Sequence, residues 1–490
     1  MSAYAALERR FSRLHALGHA LSILSWDRQV MMPVGSNAGR GDALAELEVM
    51  AHEILTDPAV ADLLDEAGGE DVSSPWQRAN LEEMRRAHIR ATALPADLVG
   101  ALARATSNAE MTWREARPAA DFAMLKDELA EVVRLTREAA VAKGQVLGLD
   151  PYDALLDDFQ PGLHRAQIDP IFDRLAEALP ARMARSLERQ ATPLRPSARF
   201  SAGRQRELAV ELMARLGFDF QRGRLDESAH PFCGGNPDDI RMTTRWDEAD
   251  AATGLMGVLH ETGHALYEAG LPLEWRRQPV GRSGGMTLHE SQSLIVEMQA
   301  CRSPAFIRYL GGRLREVFGD DPALEEANLL GLYHHVEPGF IRVDADEVTY
   351  PLHIILRYRL EQAFLAGTLE VADLPDAWNS LMRELLGIAP PDDAAGCLQD
   401  IHWPAGAFGY FPSYSLGALL AAQLFQAAER QLPDLDANLA VGDFGPLLGW
   451  LREHVHGRAR SVSFDRLVED ATGAPLGIDA FLAHVDARYA

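Results

Sequence analysis

Cysteine is scarce in this chain of 490 residues, which contains only Cys233, Cys301 and Cys397. An odd, sparse set of cysteines does not build a disulfide framework, and it is typical of proteins from a reducing compartment. The spacing of the three residues also excludes a zinc site made of cysteines. A metal site in this chain would need other ligands.

Basic residues and long apolar runs are also in short supply. The chain has 47 lysines and arginines against 72 aspartates and glutamates, and its net charge is −25. This balance argues against nucleic acid and against an anionic membrane surface, since both are bound by clustered basic side chains. No run approaches the roughly 18 apolar residues of a membrane-spanning helix, and the N-terminus does not have the pattern of a signal peptide. We therefore expect a globular protein with no nucleic-acid partner and no membrane partner.

Apolar residues recur at three- and four-residue spacing along most of the chain, which is typical of amphipathic helices. The sequence contains no repeat, no low-complexity block and no long Gly/Ser linker, so we predict one continuous, mostly α-helical domain over residues 1–490. The helices predicted in the first half cover 3–24, 39–65, 76–91, 95–109, 121–146, 167–188 and 202–216.

Two stretches break the helical pattern. Residues 238–247, DDIRMTTRWD, place apolar and β-branched residues at alternate positions and predict a strand. Residues 339–348, GFIRVDADEV, look extended at their start. A pair of strands here would form one small β-sheet beside the helices. The helical pattern returns at 348–366 and in the last third of the chain.

The most informative stretch is GVLHETGHALYE at 257–268. It lies in a helix predicted over 248–269, with Asp247 as the N-cap. Since residues i and i+4 share a helix face, His260 and His264 can bind one metal ion. Random order would produce on the order of 0.04 such H-E-x-x-H matches in this chain. A pair of ordinary helix histidines is the alternative.

A catalytic metal site needs a third protein ligand and an open position for water. Residues 284–299, GGMTLHESQSLIVEMQ, offer His289 and Glu290 on another predicted helix. Glu290 lies 26 residues after His264, which is enough for the chain to turn and bring an antiparallel helix alongside. We predict a site of His260, His264 and Glu290, with His289 as the competing ligand.

This ligand set predicts hydrolysis of an amide bond by water. A bound divalent ion lowers the pKa of a water molecule and polarises a carbonyl group. Glu261, one residue after the first histidine, can act as the general base and then pass the proton to the leaving amine. We expect one zinc ion per chain, although cobalt and manganese share this ligand set.

Several motifs together resemble one family, the Taq-type thermostable metallocarboxypeptidases. They are LSWD with MP at 24–33, HPFCGGNPDDIRMTTR at 230–245, HETGH, HESQS, IRVDAD at 341–346 and GCLQDIHW at 396–403. The matches run in the family's order from about residue 24 to residue 417. The resemblance implies a helical, saddle-like body that is split by a deep groove and is similar to angiotensin-converting enzyme and neurolysin. Residues 1–229 would form a helical lid and a wall of the groove, and residues 230–490 the catalytic half.

The resemblance also implies a function. Members of the family are cytoplasmic homodimers that release single C-terminal residues from peptides with broad specificity and act poorly at proline. An endopeptidase or a dipeptidyl carboxypeptidase that uses the same metal site is the alternative. A peptide-binding scaffold without catalysis is a third reading, and the intact Glu261 argues against it.

By the same resemblance, Arg342 grips the terminal carboxylate of the substrate, for which a guanidinium fork is well matched. A structural ion pair of Arg342 with Asp344 or Asp346 is the alternative. Arg241 and His230 belong to the loop that would close the far end of the groove, where they either contact the substrate or shape the loop.

Three further residues come from DIHWPAGAFGYFPSYSLG at 400–417. The resemblance assigns His402 and Tyr414 to the oxyanion and Tyr410 to the terminal carboxylate of the substrate. Aromatic packing is the alternative for each tyrosine.

Overall fold

The computed structural model describes residues 2–72, 74–196, 199–228 and 232–489. His230, a predicted substrate contact, lies outside these residues. The α-helices in the described ranges are α1 Ala3–Val30, α2 Asn37–Thr56, α3 Pro58–Gly68, α4 Pro75–Thr92, α5 Ala96–Ala119, α6 Lys126–Leu147, α7 Pro151–Phe159, α8 Arg165–Arg189, α9 Ala202–Arg215, α10 Ala251–Gly270, α11 Met286–Leu294, α12 Pro304–Phe318, α13 Glu326–Tyr333, α14 Tyr350–Ala366, α15 Leu374–Leu386, α16 Pro412–Gln431, α17 Leu435–Leu439, α18 Gly445–His454, α19 Phe464–Thr472 and α20 Asp479–Tyr489. Across these ranges, no helix combines the length and apolar character that crossing a membrane requires.

One small sheet accompanies the helices, as predicted. Its strands are β1 Gly223–Glu227, β2 Phe232–Asn236 and β3 Asp239–Thr244, in the order β1-β3-β2. β3 pairs in parallel with β1 and antiparallel with β2. The tight connection from β2 to β3 requires a glycine at position 235, where φ is 103° and a Cβ would lie 2.0 Å from the carbonyl oxygen of Asp239.

The prediction that residues 339–348 supply a strand to this sheet was wrong. Residues 339–348 contain no strand, and Arg342–Asp344 instead form a turn of 3₁₀ helix. The carboxylate of Asp346 fixes the next turn by accepting hydrogen bonds from the backbone N–H groups of Val348 and Thr349, at 2.9 and 3.0 Å. These local bonds compete with a ladder to another strand.

Two helix boundaries differ from the prediction because of the residues that cap the helices. The predicted helix 39–65 is divided at Pro58, where Asp57 caps α3 by accepting a hydrogen bond from the N–H of Ala59. α10 begins at Ala251 rather than 248, because Asp250 and not Asp247 is its N-cap. An aspartate near a helix start can cap any of several neighbouring turns, so the pattern alone does not choose among them.

The buried apolar side chains form two clusters. The smaller cluster joins α1, α3 and α4, while the larger one extends from Ala105 to Tyr489 and includes the metal-motif helices. Asn80, which is fully buried in α4, connects α1 to the segment after α10. Its Nδ2 donates to Tyr4 Oη and Gln278 Oε1 at 3.1 and 3.2 Å.

α10 and α11 cross at backbone distance. A Cβ on Gly263 of α10 would lie 2.5 Å from the carbonyl oxygen of Gln292 and 2.6 Å from the Cα of Ser293. α16 approaches α11 in the same way, since a Cβ on Gly417 would lie 2.8 Å from the Cβ of Glu290. Only glycine fits at these two positions, and both contacts lie beside the predicted metal ligands.

We predict that Gly263→Ala destabilises the protein by about 1–3 kcal/mol, because the added methyl group overpacks the crossing of α10 and α11. Gly257→Ala is a matched control in the same helix, where a Cβ has no atom within 4 Å. The control should be neutral or up to about 1 kcal/mol more stable, since alanine favours a helix. Denaturant unfolding of both variants measures the difference, and equal effects would contradict the tight crossing.

Candidate active site

The three predicted metal ligands lie together. His260, His264 and Glu290 each offer one ligand atom, and these atoms lie within 4.8 Å of one another. The histidines are one turn apart on α10, and Glu290 comes from α11. The competing candidate, His289, is engaged elsewhere: its Nε2 donates to Glu268 Oε1 at 3.1 Å.

Each histidine is oriented through its other ring nitrogen. His260 Nδ1 donates to Glu297 Oε2 at 2.9 Å, and His264 Nδ1 donates to the carbonyl oxygen of His289 at 3.1 Å. A carboxylate and a carbonyl group only accept hydrogen bonds, so Nδ1 carries a proton in both rings. This leaves Nε2 as the atom that can bind a cation.

The contact between His264 and Glu290 fits a cation. His264 Nε2 lies 3.5 Å from Glu290 Oε2, and two lone pairs that face each other repel unless a positive charge lies between them. Burial, reinforced by the charge of His289, lowers the pKa of His264 to about 4, which disfavours a proton there near neutral pH. Imidazole nitrogen and carboxylate oxygen are ligands that zinc accepts.

The charged groups around His260 also favour a bound cation. Burial alone would lower the pKa of His260, but the hydrogen bond to Glu297 and the charge of Glu290 raise it to about 10. The carboxylates around His260 therefore favour a positive charge in this buried pocket. A divalent cation would replace the proton on His260 and compensate these carboxylates.

Glu261 lies beside the ligand cluster without belonging to it. Burial raises the pKa of Glu261 to about 7, with Glu290 adding to the shift and His260 opposing it. A carboxyl group with a pKa near neutral can both accept and return a proton under ordinary conditions.

A second cluster, centred on Arg342, lies in a buried position. Arg342 is 6% exposed, and its Nε and Nη2 donate to Asp400 Oδ1 at 3.1 and 2.8 Å. Its Nη1 donates to Tyr350 Oη at 3.0 Å. Arg342 thus forms an ion pair within the protein, but with Asp400 rather than with Asp344 or Asp346. A guanidinium has five N–H donors, so part of the fork remains for another anion.

Asp400 serves two arginines at once. The fully buried Arg357 donates from Nε to Asp400 Oδ2 at 2.7 Å. Although burial alone would raise the pKa of Asp400, the two guanidinium groups hold it well below its usual range. One carboxylate beside Arg342 and Arg357 leaves a net positive charge, which suits the carboxylate of a substrate.

His402, Tyr410 and Tyr414 belong to the same cluster. His402 Nε2 lies 3.2 Å from Tyr414 Oη, and the guanidinium of Arg342 lies 4.9 Å from the centre of the Tyr414 ring. The Tyr410 ring lies 5.1 Å from that of Tyr414. Burial lowers the pKa of His402 to about 4, with Arg342 contributing and Asp400 opposing, so this imidazole is neutral near pH 7.

The whole chain matches one known family. Residues 6–489 fit the family described as carboxypeptidase Taq (M32) metallopeptidase. This chain belongs to that family. It is therefore a metallocarboxypeptidase, a hydrolase that acts on peptides and uses a divalent metal.

Curated relatives of this M32 carboxypeptidase cover nearly its whole length. It is 40% identical to thermostable carboxypeptidase 1 of Thermus thermophilus, over 99% of this chain and 97% of the relative. It is 34% identical to carboxypeptidase 1 of Bacillus subtilis, over 97% and 96%.

Solved structures agree with the fold. Trypanosoma cruzi metallocarboxypeptidase 1 superposes with a TM-score of 0.98 at 40% identity, covering 99% of both chains. An M32 carboxypeptidase from Deinococcus radiodurans has a TM-score of 0.95 at 33% identity, covering 99% of this chain and 98% of its own.

The structure does not bring Arg241 into either cluster of this M32 carboxypeptidase. On β3, Arg241 pairs with Asp239 through two hydrogen bonds of 2.9 and 2.8 Å. Its guanidinium lies 4.4 Å from the ring centre of Trp26, which belongs to α1. These contacts connect the sheet to the N-terminal helices.

Several residues that support the site were not predicted from the sequence. Glu297, in the π-helical segment after α11, also accepts a hydrogen bond of 2.5 Å from Arg302 Nη2. Its position seven residues after Glu290 was a usable signal, since such spacing returns to nearly the same face of a helix. Asp400 lies inside the quoted GCLQDIHW motif, only two residues before His402.

Glu361 of α14 was missed as well, and no local signal pointed to it. This fully buried carboxylate accepts hydrogen bonds from Trp403 Nε1 and the N–H of Gly409, both at 2.9 Å. It also accepts one from Tyr152 Oη at 2.6 Å. Glu361 thereby anchors the loop between His402 and Tyr410.

We predict that Glu297→Gln weakens zinc binding about 10–100-fold, because the histidine ligand loses the carboxylate that orients it. Competition with a chromogenic chelator measures the affinity. Glu274→Gln, at an exposed glutamate of the same half of the chain, controls for the lost charge and should bind zinc like the wild type. Unchanged affinity in Glu297→Gln would mean that Glu297 serves only its ion pair with Arg302.

Proposed function

We propose that this protein releases single residues from the C-terminus of peptides, with zinc held by His260, His264 and Glu290. One observation carries this proposal: a cation site and a positively charged cluster lie next to each other. α16 connects them: a Cβ on Gly417 would lie 2.8 Å from the Cβ of Glu290, and the ring centre of Tyr414, one turn earlier, lies 4.9 Å from the guanidinium of Arg342. The metal ligand is thus within electrostatic reach of the Arg342 cluster.

The proposed reaction is hydrolysis by water. A bound cation would polarise the scissile carbonyl group and acidify a water molecule. Glu261 accepts the proton of the attacking water, for which its raised pKa is suited, and returns it to the leaving amine. The carboxylate of Glu297 holds the ring of His260 in place throughout.

The Arg342 cluster binds the other end of the cleaved residue. Arg342 donates its remaining N–H groups to the terminal carboxylate, with Asp400 and Tyr350 fixing the orientation of the guanidinium. Tyr410 adds a hydroxyl donor to the same carboxylate. His402 and Tyr414, which contact each other, stabilise the developing oxyanion. A free C-terminus thereby sets where the peptide is cut.

Other parts of the proposal rest on the family resemblance. They are broad specificity with poor cleavage at proline, a homodimer, a cytoplasmic location, and residues 1–229 as lid and groove wall. His230 and Arg241 are proposed to contact the substrate at the far end of the groove. The contact of Arg241 with Trp26 supports a link between that end and the first helix.

Two matched peptides test the function, one with a free C-terminus and one amidated. We expect the metal-loaded enzyme to remove single C-terminal residues, detected by mass spectrometry, from the free peptide only. A chelator or Glu261→Gln should abolish the release, because the former removes the cation and the latter removes the base. Internal cuts, loss of dipeptides or equal cleavage of both peptides would instead support the endopeptidase or dipeptidyl carboxypeptidase.

Arg342→Lys tests the carboxylate clamp. Lysine keeps the charge but cannot form the fork that bonds Asp400 and a substrate together. We expect kcat/KM for the free peptide to fall roughly 10–100-fold, corresponding to about 1.5–3 kcal/mol for hydrogen bonds to a charged group. Zinc affinity should be unchanged in the same variant. An unaltered kcat/KM would remove Arg342 from substrate binding.

A further inference from the structure

A cavity of about 250 Å³ lies between the N-terminal helices α1, α2 and α4 and two segments of the catalytic half. Four arginines but only one glutamate line it: Arg86, Arg90, Arg282, Arg460 and Glu83. The chain as a whole carries a net charge of −25. A concentration of positive charge in so acidic a protein favours an anionic ligand at this place.

The glutamate does not balance the arginines. Glu83 is 8% exposed and accepts hydrogen bonds from two of them, Arg86 Nη1 at 2.6 Å and Arg460 Nη1 at 2.9 Å. Arg90 pairs with two carboxylates outside the cavity lining, Asp157 and, at 3.9 Å from its Nε, Asp158. The buried Nε has no hydrogen-bond partner among the described residues. Arg86 and Arg460 thus share the one carboxylate of the lining, and the arginines of the cavity retain N–H donors for another acceptor.

Arg282 is the least compensated of the four. In the described part of the chain it makes no ion pair within 4.0 Å, and it is exposed to solvent at the cavity. The nearby charged groups are Arg460, Glu268 and Glu83, and Glu268 already accepts a hydrogen bond from His289. The neighbouring charge of Arg460 repels that of Arg282 at this position. An anion would relieve this repulsion.

We propose that this cavity is an anion-binding site that takes a carboxylate group, with Arg282 as its principal ligand. A guanidinium fork matches a carboxylate in shape as well as charge. The carboxylate has two sources, an acidic side chain of a bound peptide or a small free acid. In both cases the anion connects the N-terminal helices to the catalytic half, because Arg86 lies on one side and Arg282 on the other.

The first source is tested with peptide pairs that carry glutamate or glutamine at successive positions before the cleaved residue. The peptide source rests on the proposed function, and hydrolysis of the glutamine peptides monitors that function separately. We expect the wild type to prefer glutamate about tenfold at one position, typical of a hydrogen bond to a charged group. Arg282→Gln should abolish the preference and keep the glutamine rates. Arg277→Gln is the control, since Arg277 is exposed nearby but does not line the cavity.

The second source is tested by calorimetric titration of the wild-type protein with citrate, which requires no catalysis. Citrate binding that Arg282→Gln abolishes and Arg277→Gln retains, without a preference for glutamate peptides, identifies a site for free acids. Arg282→Lys keeps the charge and should retain part of the effect, which separates lost binding from misfolding. The proposal is overturned if neither citrate nor glutamate is favoured, or if Arg282→Gln leaves both effects intact.

Discussion

The active site depends on one packing constraint, the crossing of α10 and α11 at backbone distance. Gly263 leaves no room for a side chain between the two helices, so the residues on either side of it are brought face to face. His264 thereby meets Glu290, and His260, one turn earlier, meets Glu297. The crossing thus supplies both the candidate ligand Glu290 and the carboxylate of Glu297, which orients His260, from a single neighbouring segment.

This crossing also sets the electrostatics of the site. It buries several carboxylates close together, which costs free energy unless positive charge compensates them. The pKa of Glu261 and that of His260 both rise in response. Next to this negative pocket, Asp400 is shared by two arginines and leaves a surplus of positive charge. α16 joins the two regions, because Gly417 packs on Glu290 while Tyr414, one turn earlier, contacts Arg342.

Local patterns in the sequence predicted the features of the structure that depend on residues close together in the chain. The i, i+4 spacing of His260 and His264 follows from helix periodicity, and the strand at 238–247 follows from alternation. The sequence favoured Glu290 as the third ligand but left the adjacent His289 open as a competitor. The direction in which α11 faces α10, which only the fold provides, decides between the two. The wrong cap at Asp247 shows that even a local signal becomes ambiguous where several aspartates precede one helix.

Long-range partners were beyond the reach of local patterns. Arg342 bonds Asp400, which is 58 positions away, rather than the nearer Asp344 or Asp346. The sheet likewise pairs β3 with strands that precede it instead of with residues 339–348. Tertiary packing thus selected a distant partner for Arg342 although nearer aspartates were available, and it selected neighbouring strands for β3 although a distant segment had been predicted.

The choice of Asp400 has a physical consequence for the proposed specificity. A private partner such as Asp344 would neutralise Arg342, whereas a carboxylate shared with the buried Arg357 does not. An uncompensated buried ion costs several kcal/mol even after relaxation. In the proposed function, the positive charge that Asp400 leaves uncompensated in this cluster is balanced by the terminal carboxylate of the substrate. A peptide that continues past the cut or ends in an amide brings no such charge, so the proposed arrangement would favour cleavage at the C-terminus.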